Sequence, residues 1–192
     1  MRLVSIVLLC VATALGSCEN DTERTESKTV LAQNGTQAKS KLGETGTMKL
    51  LSLLHHYYSL KEDMITPTGP GIKSPRELSA EATDLISHIL ADSTADTGIV
   101  PYLNTIQREA AAIDKLYDET GERKRLHFGV ISSALYGLLK KAELKNVIIY
   151  HMYSNNAFND KGAYWLSSYK EIRNPYFGKK LLEQGEIVDT LK

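Results

Sequence analysis

The stretch ERKRLHFGVISSALYGLLKKA, residues 122–142, decides the fold of this 192-residue chain. A spacing of three or four residues aligns one set of its side chains along a single helix face: His127, Ile131, Ala134, Leu135, Leu138 and Ala142. A helix with one apolar side has to bury that side against another element. The sequence therefore predicts a domain of packed amphipathic helices.

The same spacing recurs in three stretches upstream. One covers roughly residues 50–66 and ends before a proline, and another covers about 101–117. Between them lies a helix start with Ser74 as N-cap and Glu77 three residues later, which is the pattern of a capping box. With short connections between them, four such helices predict an all-α fold, an antiparallel four-helix bundle.

A change of pattern follows residue 144. Residues 147–150 are β-branched and aromatic, which predicts one short strand. Eight of the fourteen aromatic residues lie between Tyr150 and Phe177. We therefore expect an aromatic-rich C-terminal tail that contains this short strand and wraps the bundle, so that residues 48–192 form a single domain.

The N-terminus has the layout of a secretory signal peptide. Arg2 precedes an apolar run from Leu3 to Leu15, which is shorter than the roughly 20 residues that cross a bilayer as a helix. The sequence Leu15-Gly16-Ser17-Cys18 resembles a lipobox, in which the cysteine is acylated after cleavage. We expect residues 1–17 to be a lipoprotein signal peptide and Cys18 to be the site of lipidation. An ordinary signal peptide, which would leave Cys18 as a free thiol, is the alternative.

Residues 18–47 are predominantly polar and contain few large aliphatic side chains. Such a segment cannot bury enough apolar surface to offset its ordering entropy. It predicts a disordered tether with a mean reach of roughly 30 Å. The expected location is the bacterial cell envelope, with the domain lipid-anchored and facing the periplasm, on either the inner or the outer membrane.

The overall charge argues against a nucleic-acid partner. The 23 Lys and Arg residues balance 23 Asp and Glu residues, and no basic run stands out. No nucleophile elbow, phosphate-binding glycine loop or His-Glu-x-x-His helix occurs in the sequence. We therefore expect a protein that is not an enzyme.

Two tail segments carry a resemblance to a known family. They are Lys161-Gly162-Ala163-Tyr164-Trp165-Leu166-Ser167 and the stretch Glu171-Ile172-Arg173-Asn174-Pro175-Tyr176-Phe177-Gly178. They resemble a bacterial domain-of-unknown-function family found as small periplasmic lipoproteins and fused to adaptor subunits of copper and heavy-metal efflux pumps. The resemblance implies an accessory role in metal efflux, with an envelope efflux or metal-handling protein as partner.

The family's sulfur ligands are replaced in this chain. Members of the family typically carry Cys-Pro-Met-Ala and Cys-Gly where this sequence has Ser154-Asn155-Asn156-Ala157 and Gln184-Gly185. Thiolate and thioether sulfur are the ligands that Cu(I) prefers. The resemblance therefore implies a degenerate metal site and no resident cofactor.

His127 and His151 are the remaining candidate metal ligands. The helix that follows His127 and the strand that returns to His151 have comparable lengths, so the two imidazoles could meet and bind copper or zinc. Two histidines hydrogen-bonded at the seam between tail and bundle are the alternative. For binding of a polar ligand or a partner, the candidates are Asn155, Asn156 and Trp165.

Three functions follow from these features. The first is a membrane-anchored periplasmic lipoprotein that acts as a non-enzymatic binding or accessory domain related to metal-efflux adaptor appendages. The second is a copper- or zinc-binding lipoprotein that uses His127 and His151. The third is an envelope structural or interaction module with no metal role.

Overall fold

A computed structural model of the chain describes residues 37–66 and 72–192. The expected signal peptide, the lipidation site Cys18 and the tether up to residue 36 lie outside these residues. The described chain starts against the folded domain, since Lys39 pairs with Lys145 and the Asn146 side chain donates to the Gln37 carbonyl oxygen at 2.9 Å.

Four long helices lie where the apolar spacing predicts them. They are α1 (Gly43–Ile65), α2 (Ser74–Ala91), α3 (Val100–Lys115) and α4 (Glu122–Lys141). A 3₁₀ turn, Thr97–Ile99, leads into α3. Residues 43–47, which the sequence assigns to the tether, are the first turn of α1, so the ordered domain begins earlier than residue 48.

Consecutive helices are antiparallel and pack mainly against their neighbours in sequence. Lys49 near the start of α1 pairs with Asp84 in the second half of α2, whereas the later His56 lies near Glu77 at the start of α2. Likewise, the Tyr102 ring near the start of α3 lies over Gly137 near the end of α4. The buried faces contain the predicted stripes, such as Leu78, Ala82, Leu85 and Ile89 in α2.

The prediction of an all-α fold is wrong. The C-terminal part forms a three-stranded antiparallel sheet from β1 (Ile149–Ser154), β2 (Ala163–Ser167) and β3 (Glu186–Leu191), in the order β2-β1-β3. The domain is therefore mixed α/β. A single buried strand would leave its backbone N–H and C=O groups without partners, so β1 needs a neighbour on each side.

The predicted capping box is also absent. Lys73, rather than Ser74, precedes the first turn of α2. The Ser74 hydroxyl donates to the Asp63 carboxylate of α1 instead of accepting from its own helix. The serine therefore ties the start of α2 to the end of α1.

One tyrosine hydroxyl joins the sheet to two helices. Tyr57 of α1 is fully buried, and its hydroxyl accepts from the Leu166 backbone N–H of β2 at 2.9 Å and shares a hydrogen bond with Ser132 of α4 at 2.8 Å. Its ring stacks on Phe128 with centroids 5.3 Å apart.

None of the described helices has the length and apolar character that crossing a membrane requires.

Tyr57→Phe should lower the free energy of unfolding by about 1 to 3 kcal/mol, because the buried Leu166 N–H loses its acceptor while the ring and its packing remain. Urea unfolding monitored by circular dichroism measures this change. Tyr117→Phe is the matched control, because Tyr117 is 81% exposed and the substitution should leave stability unchanged. Equal effects of the two substitutions would contradict the bridging role of Tyr57.

Candidate ligand-binding cleft

A cleft of about 640 Å³ opens between the first turns of α4 and the connection from β1 to β2. Its size lies in the range of small-molecule sites, about 300 to 1,000 Å³. Residues from α4, from this connection and from the C-terminal segment line it: Glu122, Arg125, Leu126, Asn156, Phe158, Asn159, Asp160, Lys161, Tyr176 and Phe177. Polar and apolar side chains therefore face the same space.

One wall of the cleft has an unusual backbone. Phe158, Asn159 and Asp160 have φ values of 56°, 57° and 64°, so three successive non-glycine residues adopt the left-handed conformation. This conformation costs an ordinary L-residue roughly 1 to 2 kcal/mol, although asparagine and aspartate tolerate it better. A run of three persists only where the surroundings determine it, and such strain tends to occur at functional sites.

Aromatic packing holds this left-handed turn in place. The Phe158 ring lies over Gly129 of α4, where a Cβ atom would come within 3.3 Å of it, and meets the Tyr176 ring edge-on at 5.2 Å between centroids. Tyr176 is buried, and its hydroxyl donates to the Tyr164 carbonyl oxygen of β2. Burial raises the pKa of Tyr176 well above its ordinary value. The turn is thus clamped between α4 and the C-terminal segment.

Arg125 is a buried cation at the edge of the cleft, only 8% exposed. Its guanidinium donates to three carbonyl oxygens from separate segments: Met64 at 3.1 Å, Thr120 at 2.9 Å and Pro175 at 3.1 Å. Met64 belongs to the last turn of α1, whose carbonyl oxygens carry the negative end of the helix dipole. Arg125 therefore joins α1, the turn before α4 and the C-terminal segment.

Two glycines make room for this guanidinium. Gly121 and Gly178 have φ values of +74° and +61°, and a Cβ atom on either would lie 3.2 Å from a guanidinium nitrogen of Arg125. Burial lowers the pKa of Arg125, an effect opposed by Asp118 and Glu122. None of the described carboxylates forms an ion pair with it. The position of its positive charge is thus fixed, and the carboxylates of Asp118 and Glu122 balance that charge without contacting it.

The start of α4 already has its own anionic partner. Asp118 accepts from the Lys124 backbone N–H at 3.1 Å. Burial alone would raise the pKa of the Asp118 carboxyl, but the Lys124 backbone N–H, the Thr120 hydroxyl and further backbone N–H groups outweigh burial and lower it. The N-terminus of α4 is therefore occupied by a side chain of the protein itself.

The two histidines proposed as metal ligands are not brought together. His127 faces α3, where its Nδ1 atom lies 2.7 Å from the Glu109 carboxylate. The His151 ring stacks between Tyr136 of α4 at 3.8 Å and Tyr164 of β2 at 4.9 Å. Positions 127 and 136 are about 180° apart around α4 and about 13.5 Å apart along it. The two histidines therefore lie on opposite sides of that helix.

The residues present do not fit a copper or zinc ion at these histidines. His151 is only 8% exposed, and its ring faces are covered by aromatic rings. Burial lowers the pKa of His151, opposed by Asp189 and helped by Lys140. Within residues 37–66 and 72–192, no three His, Cys, Asp or Glu side chains form a group that could hold a metal ion.

The other predicted binding residues divide between surface and core. Asn156 is exposed and lines the cleft, whereas the neighbouring Asn155 is exposed outside it. Trp165 is fully buried and meets Tyr176 edge-on at 6.1 Å. Trp165 therefore lies behind the cleft wall and supports Tyr176.

The three positions at which the resemblance places sulfur ligands lie at one end of the sheet. Ser154 ends β1, and Asn156 follows two residues later. Since Tyr153 pairs with Glu186, Gln184 approaches the same end from β3. The side-chain oxygens of Ser154 and Gln184 are buried without a hydrogen-bond partner in the described structure. The fold brings these positions near one another, with oxygen and amide groups in place of sulfur.

Sequence reasoning missed most of the cleft. Arg125, Phe158, Lys161 and Tyr176 come from three segments that only the tertiary fold brings together. Only the left-handed turn has a local signal in the sequence. Asn159 and Asp160 are of residue types that tolerate the left-handed conformation. No family model, curated protein or solved structure matches the chain.

Asn159→Ala should lower the free energy of unfolding by about 1 kcal/mol, because alanine pays the full cost of the left-handed conformation. Asn159→Gly is the matched control and should change stability by no more than about 0.5 kcal/mol, since glycine adopts this conformation freely. The midpoints of urea unfolding give both values. An Asn159→Ala variant as stable as Asn159→Gly would show that residue 159 is not held left-handed.

Proposed function

We propose that this chain is a lipid-anchored, non-enzymatic binding protein of the bacterial cell envelope. In this proposal the cleft between α4 and the β1–β2 connection is its recognition site. The observation that carries the proposal is the cleft wall of three successive left-handed residues, Phe158 to Asp160. Non-glycine residues do not favour this backbone conformation, so the surrounding structure has to maintain it. Here these residues form one wall of a cleft of the size that binds small ligands.

The character of the lining supports binding rather than chemistry. The cleft lining contains no histidine, cysteine or serine, and its carboxylates, Glu122 and Asp160, are exposed rather than buried as a carboxylate tuned for acid–base catalysis is. Its polar groups are amides, ammonium, guanidinium and carboxylates, which recognise ligands by hydrogen bonds and charge. Its apolar groups supply area for burial.

The cleft lies away from the described end of the chain that leads toward Cys18. Residues 37–39 contact residues 145–146, which lie just before β1. Asn156 and the cleft follow the other end of β1. The six residues of β1 span on the order of 20 Å. The cleft therefore lies about the length of β1 away from residues 37–39, the described residues nearest to Cys18 in sequence.

Lipid attachment at Cys18 has a direct test. In a bacterial host, the chain should incorporate labelled palmitate and sediment with membranes, and Cys18→Ala should abolish both because no thiol remains for acylation at the lipobox. Cys10→Ala is the matched control, since Cys10 lies in the expected signal peptide and should be dispensable. Palmitate incorporation that survives Cys18→Ala would refute the anchor.

Ligand binding at the cleft is tested by screening fragments against the protein with NMR. Bound fragments should shift the backbone signals of Phe158, Asn159 and Tyr176. Asn156→Trp should abolish these shifts by filling the cleft, while Asn155→Trp, at the exposed neighbour outside the cleft, should preserve them. Fragments that bind only elsewhere, or equally well to the Asn156→Trp variant, would refute the proposed recognition site.

A further inference from the structure

The charges of the cleft are balanced in number and unpaired. Two cations, Arg125 and Lys161, and two carboxylates, Glu122 and Asp160, line it. Oppositely charged side chains that line the same space often form ion pairs, as Glu62 does with Arg173 at 2.7 Å. None of the four forms an ion pair with any residue of the described ranges. The cleft therefore presents both signs of charge to whatever enters it.

Arg125 has N–H groups that can donate to a carboxylate. A guanidinium has five N–H donors, and the described residues accept from Nε, from one donor of Nη1 and from one donor of Nη2. Two donors remain. Because three carbonyl oxygens already fix the guanidinium, binding an acceptor there costs little further side-chain entropy. A carboxylate is the acceptor that matches a guanidinium best in charge and geometry.

The opposite charges favour a second group on the same ligand. A ligand with only a negative charge would be attracted by Arg125 but repelled by the carboxylates of Glu122 and Asp160. A ligand with only a positive charge would be repelled by Arg125 and Lys161. A ligand that carries one charge of each sign satisfies both pairs. Glu122, Asp160 and Lys161 are exposed, so their side chains can reorient toward such a ligand.

The remaining lining is apolar and aromatic. Leu126 is 51% exposed although it lies at the cleft, and Phe158, Tyr176 and Phe177 supply rings beside it. Asn156 and Asn159 add amides that both donate and accept hydrogen bonds, as a peptide group requires. The volume of about 640 Å³ exceeds what a single small anion would fill.

We infer that the cleft binds a short peptide with free termini and an apolar side chain. Its carboxylate lies at Arg125 and Lys161, its ammonium group at Glu122 and Asp160, and its side chain against Leu126 and the aromatic rings. This inference rests on the proposed function, because it specifies the ligand of the same cleft. It adds a chemical class that the proposed function leaves open.

The test is isothermal titration of the full chain, purified in detergent, with the dipeptide leucyl-phenylalanine. N-acetyl-leucyl-phenylalanine lacks the ammonium charge, and leucyl-phenylalanine amide lacks the carboxylate. The unmodified dipeptide should bind, and each capped form should bind at least about tenfold more weakly, because each loses one charge-assisted interaction. Free phenylalanine amide, a simple cation, should not bind.

Substitutions at two exposed positions show which residues of the cleft bind each terminus of the dipeptide. Lys161→Gln should weaken binding of the dipeptide and leave the affinity of the amide unchanged, since the amide has no carboxylate to lose. Glu122→Gln should weaken binding of the dipeptide and leave that of the N-acetyl form unchanged. Glu183→Gln, an exposed substitution outside the cleft, is the matched control and should alter none of these affinities.

The outcomes separate the two proposals. If fragments occupy the cleft but the dipeptide does not bind, or if capping either terminus has no effect, the peptide inference is wrong and the recognition site stands. If the N-acetyl form binds as tightly as the dipeptide, the ligand is an anion only, which also overturns the inference. If neither fragments nor the dipeptide reach the cleft, the proposed function fails as well.

Discussion

The burial of Arg125 is the interaction on which the cleft and its surroundings depend. A buried guanidinium without a neighbouring carboxylate is costly unless its donors are satisfied. Here backbone carbonyl oxygens accept from three of its five N–H donors, and those oxygens belong to the end of α1, the turn before α4 and the C-terminal segment. The cost of burying one charge is therefore offset only when the turn before α4 and two distant segments assemble around it. The glycines Gly121 and Gly178 allow the approach, because any Cβ atom there would crowd the guanidinium.

A second constraint comes from the sheet. β1 lies in the middle of the sheet and requires β2 and β3 on its two sides, so the chain must leave β1, turn and return within a few residues. The left-handed turn at Phe158 to Asp160 achieves this reversal while placing the Phe158 ring on Gly129 of α4. The return path through Tyr176 and Asn174 then closes over Trp165. Asn174 is fully buried, and its side-chain amide donates to the Gln184 carbonyl oxygen at 2.7 Å, which holds the approach to β3.

The helices and one strand of the sheet, β1, could be predicted from sequence, and the other two strands could not. Each helix carries its own apolar stripe, such as Leu103, Ile106, Ala110 and Ile113 in α3, so local spacing is sufficient. β2 is buried at four of its five positions and therefore lacks the alternation of a half-exposed strand, and its aromatic residues suggested a packed tail instead. β3 has β-branched residues at Ile187, Val188 and Thr190, a signal present in the sequence whose meaning depends on β1 beside it. The cleft was even harder to predict from sequence than the sheet. Asn156 was identified as a candidate binding residue, whereas the role of Arg125 depends on carbonyl oxygens up to 61 residues away in the chain.

The fold does not assemble the metal site that the spacing of His127 and His151 predicted. Matching the length of α4 to that of the returning strand predicts His127 and His151 at similar heights, but His151 stacks on Tyr136, about 13.5 Å along α4 from His127. Glu109 holds His127 toward α3, and Tyr136 holds His151 toward the sheet. Rotation about the axis of α4 and distance along it both separate them. Arg125 lies two residues before His127, a rotation of about 200°, and this rotation directs it away from α3 toward the C-terminal segment. The helix thus faces α3 with one side and lines the cleft with another.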